Sequence, residues 1–141
     1  MNYSIVPVAE DDDEFIEDKL VEYNLSMVPA TQDKLFESIS KKIVDEKGNT
    51  IAGCIALMYC WKVAAIDILW VDKQYRGHGL GSVLLGEVER EAMEKGCHLM
   101  HLDTFDFQAK EFYEKNGYSI FGMLEDCPKG HIRYYLKKLF I

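Results

Sequence analysis

Residues 74–82 read Gln74-Tyr75-Arg76-Gly77-His78-Gly79-Leu80-Gly81-Ser82, with three glycines in five positions between an apolar run and an amphipathic one. Glycines so placed either end a strand in a tight turn or let the backbone approach a group that no Cβ would admit. The first-turn amides of a following helix have no intrahelical acceptors, so this arrangement suits a phosphate or pyrophosphate. Arg76 adds a charge-assisted contact. Two other phosphate loops fail on spacing. A P-loop needs four residues between its glycines and then Gly-Lys-Ser/Thr. A dinucleotide loop needs glycine where this chain has Ser82. On the pattern alone, an anion site and a plain tight turn both stay open.

Other residues offer proton chemistry. Asp67 is a lone acid inside the apolar stretch VAAIDILWV (63–71), on the same alternating face as Leu69 and Val71. It suits a general base, and equally an edge-exposed or hydrogen-bonded aspartate. His101 and Asp103 share one face of CHLMHLDTF (97–105) and are secondary candidates to line the same site. Glu125, Asp126 and His131, in and beside the loop EDCPKG, offer partners for a cationic ligand, or make up an ordinary surface hairpin. Cys127 has no identifiable base partner for a nucleophilic role.

These residues need elements to hold them. YSIVPV (3–8) reads as a first strand, and residues 12–26 as a helix with apolar spacing at Phe15, Leu20, Val21 and Leu25. Pro29 ends that helix. Residues 35–45 and 51–61 form a hairpin about the turn EKGNT, and 63–71 a further strand. LGSVLLGEVEREAMEK (80–95) is an amphipathic helix with Gly96 at its C-terminal cap. A strand (97–105), a short helix (106–117) that Asp106 can cap, and strands 118–124 and 131–139 complete the order. The pattern predicts one α/β domain over residues 1–141: a mixed, mainly antiparallel sheet with helices on both faces and a right-handed crossover in the middle.

Composition bounds the function. With 16 basic and 24 acidic residues, a formal charge of −8 opposes binding to nucleic acid and favours cationic ligands. Seven carboxylates crowd EDDDEFIED (10–18), read first as a solvated helix start and second as substrate steering. Four cysteines without a CxxC pair point to reduced thiols, no metal and a cytoplasmic setting. No secretory signal or membrane-spanning run is expected.

Gln74-Tyr75-Arg76-Gly77-His78-Gly79 resembles the Q/R-x-x-G-x-G/A motif of the GNAT N-acetyltransferase superfamily. AKEFYEKNGY (109–118) resembles that family's second signature, in the expected order, and the element order fits across essentially the whole chain. The resemblance implies about seven strands, three to four helices and central strands that splay apart. It implies acetyl-CoA as co-substrate, with its pyrophosphate on Arg76, Gly77, His78, Gly79, Gly81 and Ser82 and its pantetheine along the backbone of Leu69 and Val71. Tyr113 matches the usual general acid, which protonates the departing thiolate. Asp67 stands where the family often carries a carboxylate base. Asp106 replaces a common asparagine, which leaves a coenzyme contact there in doubt. The family uses the region of Glu125 and His131 near the acceptor or at a homodimer contact. The expected activity is acetyl transfer to a primary amine, probed against two alternatives: acetylation of a protein N-terminus or lysine, and a non-catalytic acyl-CoA sensor.

Overall fold

A computed structural model describes residues 1–140. The chain divides into two compact units, Met1–Thr31 and Gln32–Ile141. In the first, helix α1 spans Asp12–Met27. Asp12, Asp13 and Glu14 crowd its first turn, where the helix dipole favours negative charge. Asp12 accepts from the Ala9 N–H at 2.8 Å and fixes the entry of the chain. The strand expected at 3–8 does not form. Pro7 removes a ladder donor, and no other segment pairs with these residues.

The second unit holds a seven-stranded mixed sheet. Its strands are β1 (Phe36–Ser38), β2 (Lys41–Val44), β3 (Thr50–Tyr59), β4 (Val63–Val71), β5 (Leu99–Phe105), β6 (Ser119–Glu125) and β7 (Ile132–Leu139). Helices α2 (Leu80–Glu94) and α3 (Lys110–Lys115) cross between β4 and β5 and between β5 and β6. The sheet order is β1-β3-β4-β5-β7-β6, with β2 also on β3. The single strand expected at 35–45 is thus two, broken at Ile39-Ser40, where the Ser40 hydroxyl accepts from the Ala56 N–H at 3.0 Å. The hairpin turn closes on Asp45, whose carboxylate accepts from the N–H groups of Lys47 and Asn49.

One face of the sheet carries the core. Ala52, Cys54, Ala56 and Met58 alternate inward along β3, as the two-residue period of a strand requires. They join Leu84, Leu85, Val88 and Ala92 of α2, Met100 and Leu102 of β5, and Tyr113 of α3 in one buried cluster. Both helices of this unit therefore serve the same face. The parallel crossovers β4-α2-β5 and β5-α3-β6 advance in the same direction, and a right-handed connection then puts both helices on one side. One carboxylate enters the core: Glu89 accepts from the Tyr118 hydroxyl at 2.8 Å and from Lys138 at 3.1 Å. Lys138 also donates to the Asn116 carbonyl at 2.8 Å, which ties the end of α3 to α2 and β7.

Candidate active site

The central feature is a fork. β4 and β5 pair only over Val63–Ala65 and Leu99–His101, and then part. Each strand contributes a reason. β4 bulges at Asp67: Ile55 pairs with Ile68 and Ala56 with Ile66, so Asp67 has no partner on β3 and the strand twists more strongly there. The end of β5 satisfies itself locally. The Phe105 N–H donates to Gln108 Oε1 at 2.8 Å, and the Ala109 N–H donates to Thr104 Oγ1 at 3.4 Å. The Phe105 N–H thus finds a partner other than β4, in the stretch where the two strands have parted.

Two neighbouring cavities lie along the gap between β4 and β5. The inner cleft, about 190 Å³, is lined by Asp67, Leu69, Asp103, Thr104 and Tyr113 among others. The outer cavity, about 600 Å³, runs past Leu69, Val71, Arg76, Gly81, Phe107 and Phe112. Leu69, Gln108 and Ala109 border both.

The glycine loop contributes Arg76 and Gly81 to the lining of the outer cavity. Gly77 and Gly79 have φ of 82° and 77°, a conformation that side chains with a Cβ rarely adopt. Gly79 is the N-cap of α2, whose first-turn amides lack intrahelical acceptors. Gly81 is needed for a different reason: a Cβ there would stand 3.2 Å from the Phe112 ring. Arg76 folds back, its Nε donating to the Val71 carbonyl at 3.0 Å, and so lines the cavity. His78 and Ser82 are exposed on the loop and first turn; Ser82 Oγ accepts from Asn116 Nδ2 at 3.3 Å.

Tyr113 is buried, with its ring edge-on to Phe112 at 5.2 Å and Tyr118 at 5.7 Å. Burial raises its pKa, so the phenol keeps its proton at neutral pH. The two cleft carboxylates differ. Asp103 is already paired with Arg133 at 2.7 Å, whereas Asp67 is exposed at the bulge.

The remaining expected residues lie outside the cleft. His101 closes the last paired rung of the fork and hydrogen-bonds Tyr59 Oη at 2.7 Å. Burial holds its pKa below the ordinary histidine value, although nearby Asp103 pulls it up. Glu125 is exposed at the end of β6 and borders neither cavity. His131 donates to Asp106 at 2.9 Å. Asp106 does not cap α3, whose N-cap is Ala109 without a side-chain bond. Its second oxygen accepts from the Ile132 N–H at 2.9 Å, so it anchors β7 instead. Desolvation of Asp106 opposes ionisation, but the Ile132 and His131 bonds outweigh it and lower its pKa. The sequence reading missed Gln108, Phe107 and Phe112; the signal for Gln108 was its place one residue before the alanine of the second signature.

A forked sheet whose opening meets a glycine loop at a helix N-terminus defines an acyl-coenzyme transferase scaffold. Residues 8–118 match the model of the acetyltransferase (GNAT) family. The chain is 33% identical to blasticidin-S acetyltransferase of Streptomyces morookaense over 81% of this chain and 84% of that protein. The crystal structure of an acetyltransferase from Bacillus cereus superposes with a TM-score of 0.90 at 39% identity, covering 98% of each chain. An aminoglycoside 6'-N-acetyltransferase complexed with coenzyme A shares the fold at a TM-score of 0.66 and 20% identity, covering 93% of this chain and 84% of that one. The chain belongs to the GNAT acetyltransferase family.

Proposed function

We propose that this acetyltransferase moves an acetyl group from acetyl-CoA to the primary amine of a small cationic molecule, by direct attack in a ternary complex. The observation that carries the reading is that Asp67 and Tyr113 line one cavity, Arg76 and Gly81 line its neighbour, and Leu69, Gln108 and Ala109 border both. The loop amides and Arg76 hold the pyrophosphate, and the β4 backbone at Leu69 and Val71, unpaired on its β5 side, receives the pantetheine. A backbone N–H on this stretch of β4 stabilises the thioester oxygen as charge develops on it.

Asp67, free of the ion pair that occupies Asp103, attracts the ammonium and takes its proton, directly or through water. The neutral amine forms the new N–C bond, the C–S bond breaks, Tyr113 gives its proton to the thiolate, and the second proton on the nitrogen passes to water as the amide forms. Proton exchange with solvent restores both groups. An inner cleft of about 190 Å³ supports a small acceptor over a protein segment, which would need a long groove. Tyr113→Phe should lower kcat about 100-fold, at the lower end of general-acid contributions. The Kd for CoA, measured by calorimetry, should stay within about twofold, because the lost hydroxyl is reserved for the transition state. Unchanged turnover would remove Tyr113 from the mechanism.

A further inference from the structure

Phe107 is a large apolar side chain left 56% exposed on a short turn, yet it is held on several sides. Its ring stacks on Phe105 at 5.1 Å with an interplanar angle of 21°. His131 meets it edge-on at 5.2 Å, and Asp106 fixes that imidazole. Phe105 is secured in turn by the Arg133 guanidinium, 5.5 Å from its centroid, which Asp103 anchors. Side chains from β5, the β5–α3 turn and β7 thus converge to present one aromatic face. Exposing such a face costs hydrophobic burial, and pre-ordering it lowers the entropy lost when a ligand settles on it.

The face is placed for ligand rather than for the core. Phe107 borders the outer cavity together with Trp70, itself 43% exposed on the side of β4 away from the helices. Phe105 borders the inner cleft, where Asp67 stands. Through Phe105 the stack thus borders the same cleft as the acid. The chemistry of such a surface is selective. An aromatic face favours a flat conjugated ring over a saturated ring of equal size, through offset stacking beyond area burial alone.

We propose that the Phe105–Phe107 stack is an acceptor platform, and that the preferred acceptor is an amine tethered to a planar conjugated ring. This rests on the reading of the cleft as the site of amine acetylation. The ring lies on Phe107, and the tethered ammonium reaches Asp67. His131 and Arg133 are positioning residues for the two phenyl rings.

The test uses 2-phenylethylamine and 2-cyclohexylethylamine, alike in charge and tether and different in ring planarity. Their Kd values are measured by calorimetry with CoA bound, and their kcat/KM by thiol release from acetyl-CoA. The wild-type protein should favour the aryl amine about three- to tenfold in both measures, the range expected for an aromatic pair. Phe107→Leu, which keeps bulk and removes the π face, should erase that preference, and Phe107→Trp should keep it. Because Phe107 also borders the outer cavity, each variant's CoA Kd is measured alongside, and the loss of aryl preference should exceed any change in it. Equal affinity for the two amines, no binding of the aryl amine at millimolar concentration, or a Phe107→Leu effect confined to CoA would each overturn the platform. Tyr113→Phe separates the two ideas. It should lower kcat for both amines while the preference in Kd survives; a preserved preference with undiminished kcat would sink the acid and leave the platform.

Discussion

Two glycines of α2, one lining the outer cavity and one away from it, allow the proposed coenzyme cavity to be probed by a methyl group. At Gly86, an added Cβ meets nothing within 4 Å, and no positive φ opposes it. Gly86→Ala should therefore gain the helix-propensity difference, about 0.8–1 kcal/mol, and raise Tm by roughly 3–6 °C. At Gly81 the same gain meets a steric cost. The Cβ would stand 3.2 and 3.3 Å from two carbons of the Phe112 ring and 3.7 Å from Val71. Overpacking costs about 1–3 kcal/mol, at the lower end here because Phe112 is half-buried and borders open space. The two contributions nearly cancel, so Gly81→Ala should sit within about 3 °C of wild type. The displaced ring moves into the outer cavity, the space proposed for pantetheine. The KM for acetyl-CoA should rise about three- to tenfold, since sub-ångström misplacement already costs part of the hundredfold that a full ångström can. Scanning fluorimetry and thiol-release kinetics on both variants read the two effects separately. If Gly81→Ala matched Gly86→Ala in Tm and left KM unchanged, Phe112 would not be a wall of the coenzyme cavity.

The thiols and the buried imidazole give two further tests. Cys54, Cys60 and Cys97 are buried, and desolvation pushes the Cys54 thiol up to about 11, so only Cys127 should react with a neutral-pH alkylating reagent in the native protein. Mass spectrometry should find one fast adduct, and all four only after denaturant; rapid native labelling of Cys54 would contradict the packed β3–α2 core. His101, with its folded pKa below the unfolded value of 6.5, stabilises the fold fully above that pH and less as the pH falls through the folded pKa. Tm should thus decline from pH 6.5 toward 5, and His101→Gln should flatten that segment; parallel profiles would show that His101 does not titrate there.

Much of the site was legible because its parts are local. The glycine loop, the helix behind it and Tyr113 on the next crossover helix each follow from spacing within a short stretch, and the apolar run 63–71 marked β4 to the residue. Asp67 was singled out by its polarity, yet its bulge depends on which β3 residue it fails to pair with, and that register is a long-range fact. Asp106 shows the limit most clearly. Local chemistry favours a helix cap, but Ile132 and His131 arrive from β7 and claim both oxygens. The strand expected at 3–8 failed for the same reason, since β propensity without a pairing neighbour does not make a ladder.

The pairing of Asp103 with Arg133 determines how the cleft divides its labour. Two carboxylates, Asp67 and Asp103, line this one small opening. Arg133 neutralises one of them and at the same time lies over Phe105, so a single guanidinium both quiets Asp103 and steadies the aromatic floor. Asp67 is then left as the cleft carboxylate available to an ammonium, on the side of the fork opposite Asp103. The β-bulge that opens the fork is also what turns Asp67 into it. The part of the fork that β4 contributes and the place of the proposed base therefore share one origin, the extra residue in β4.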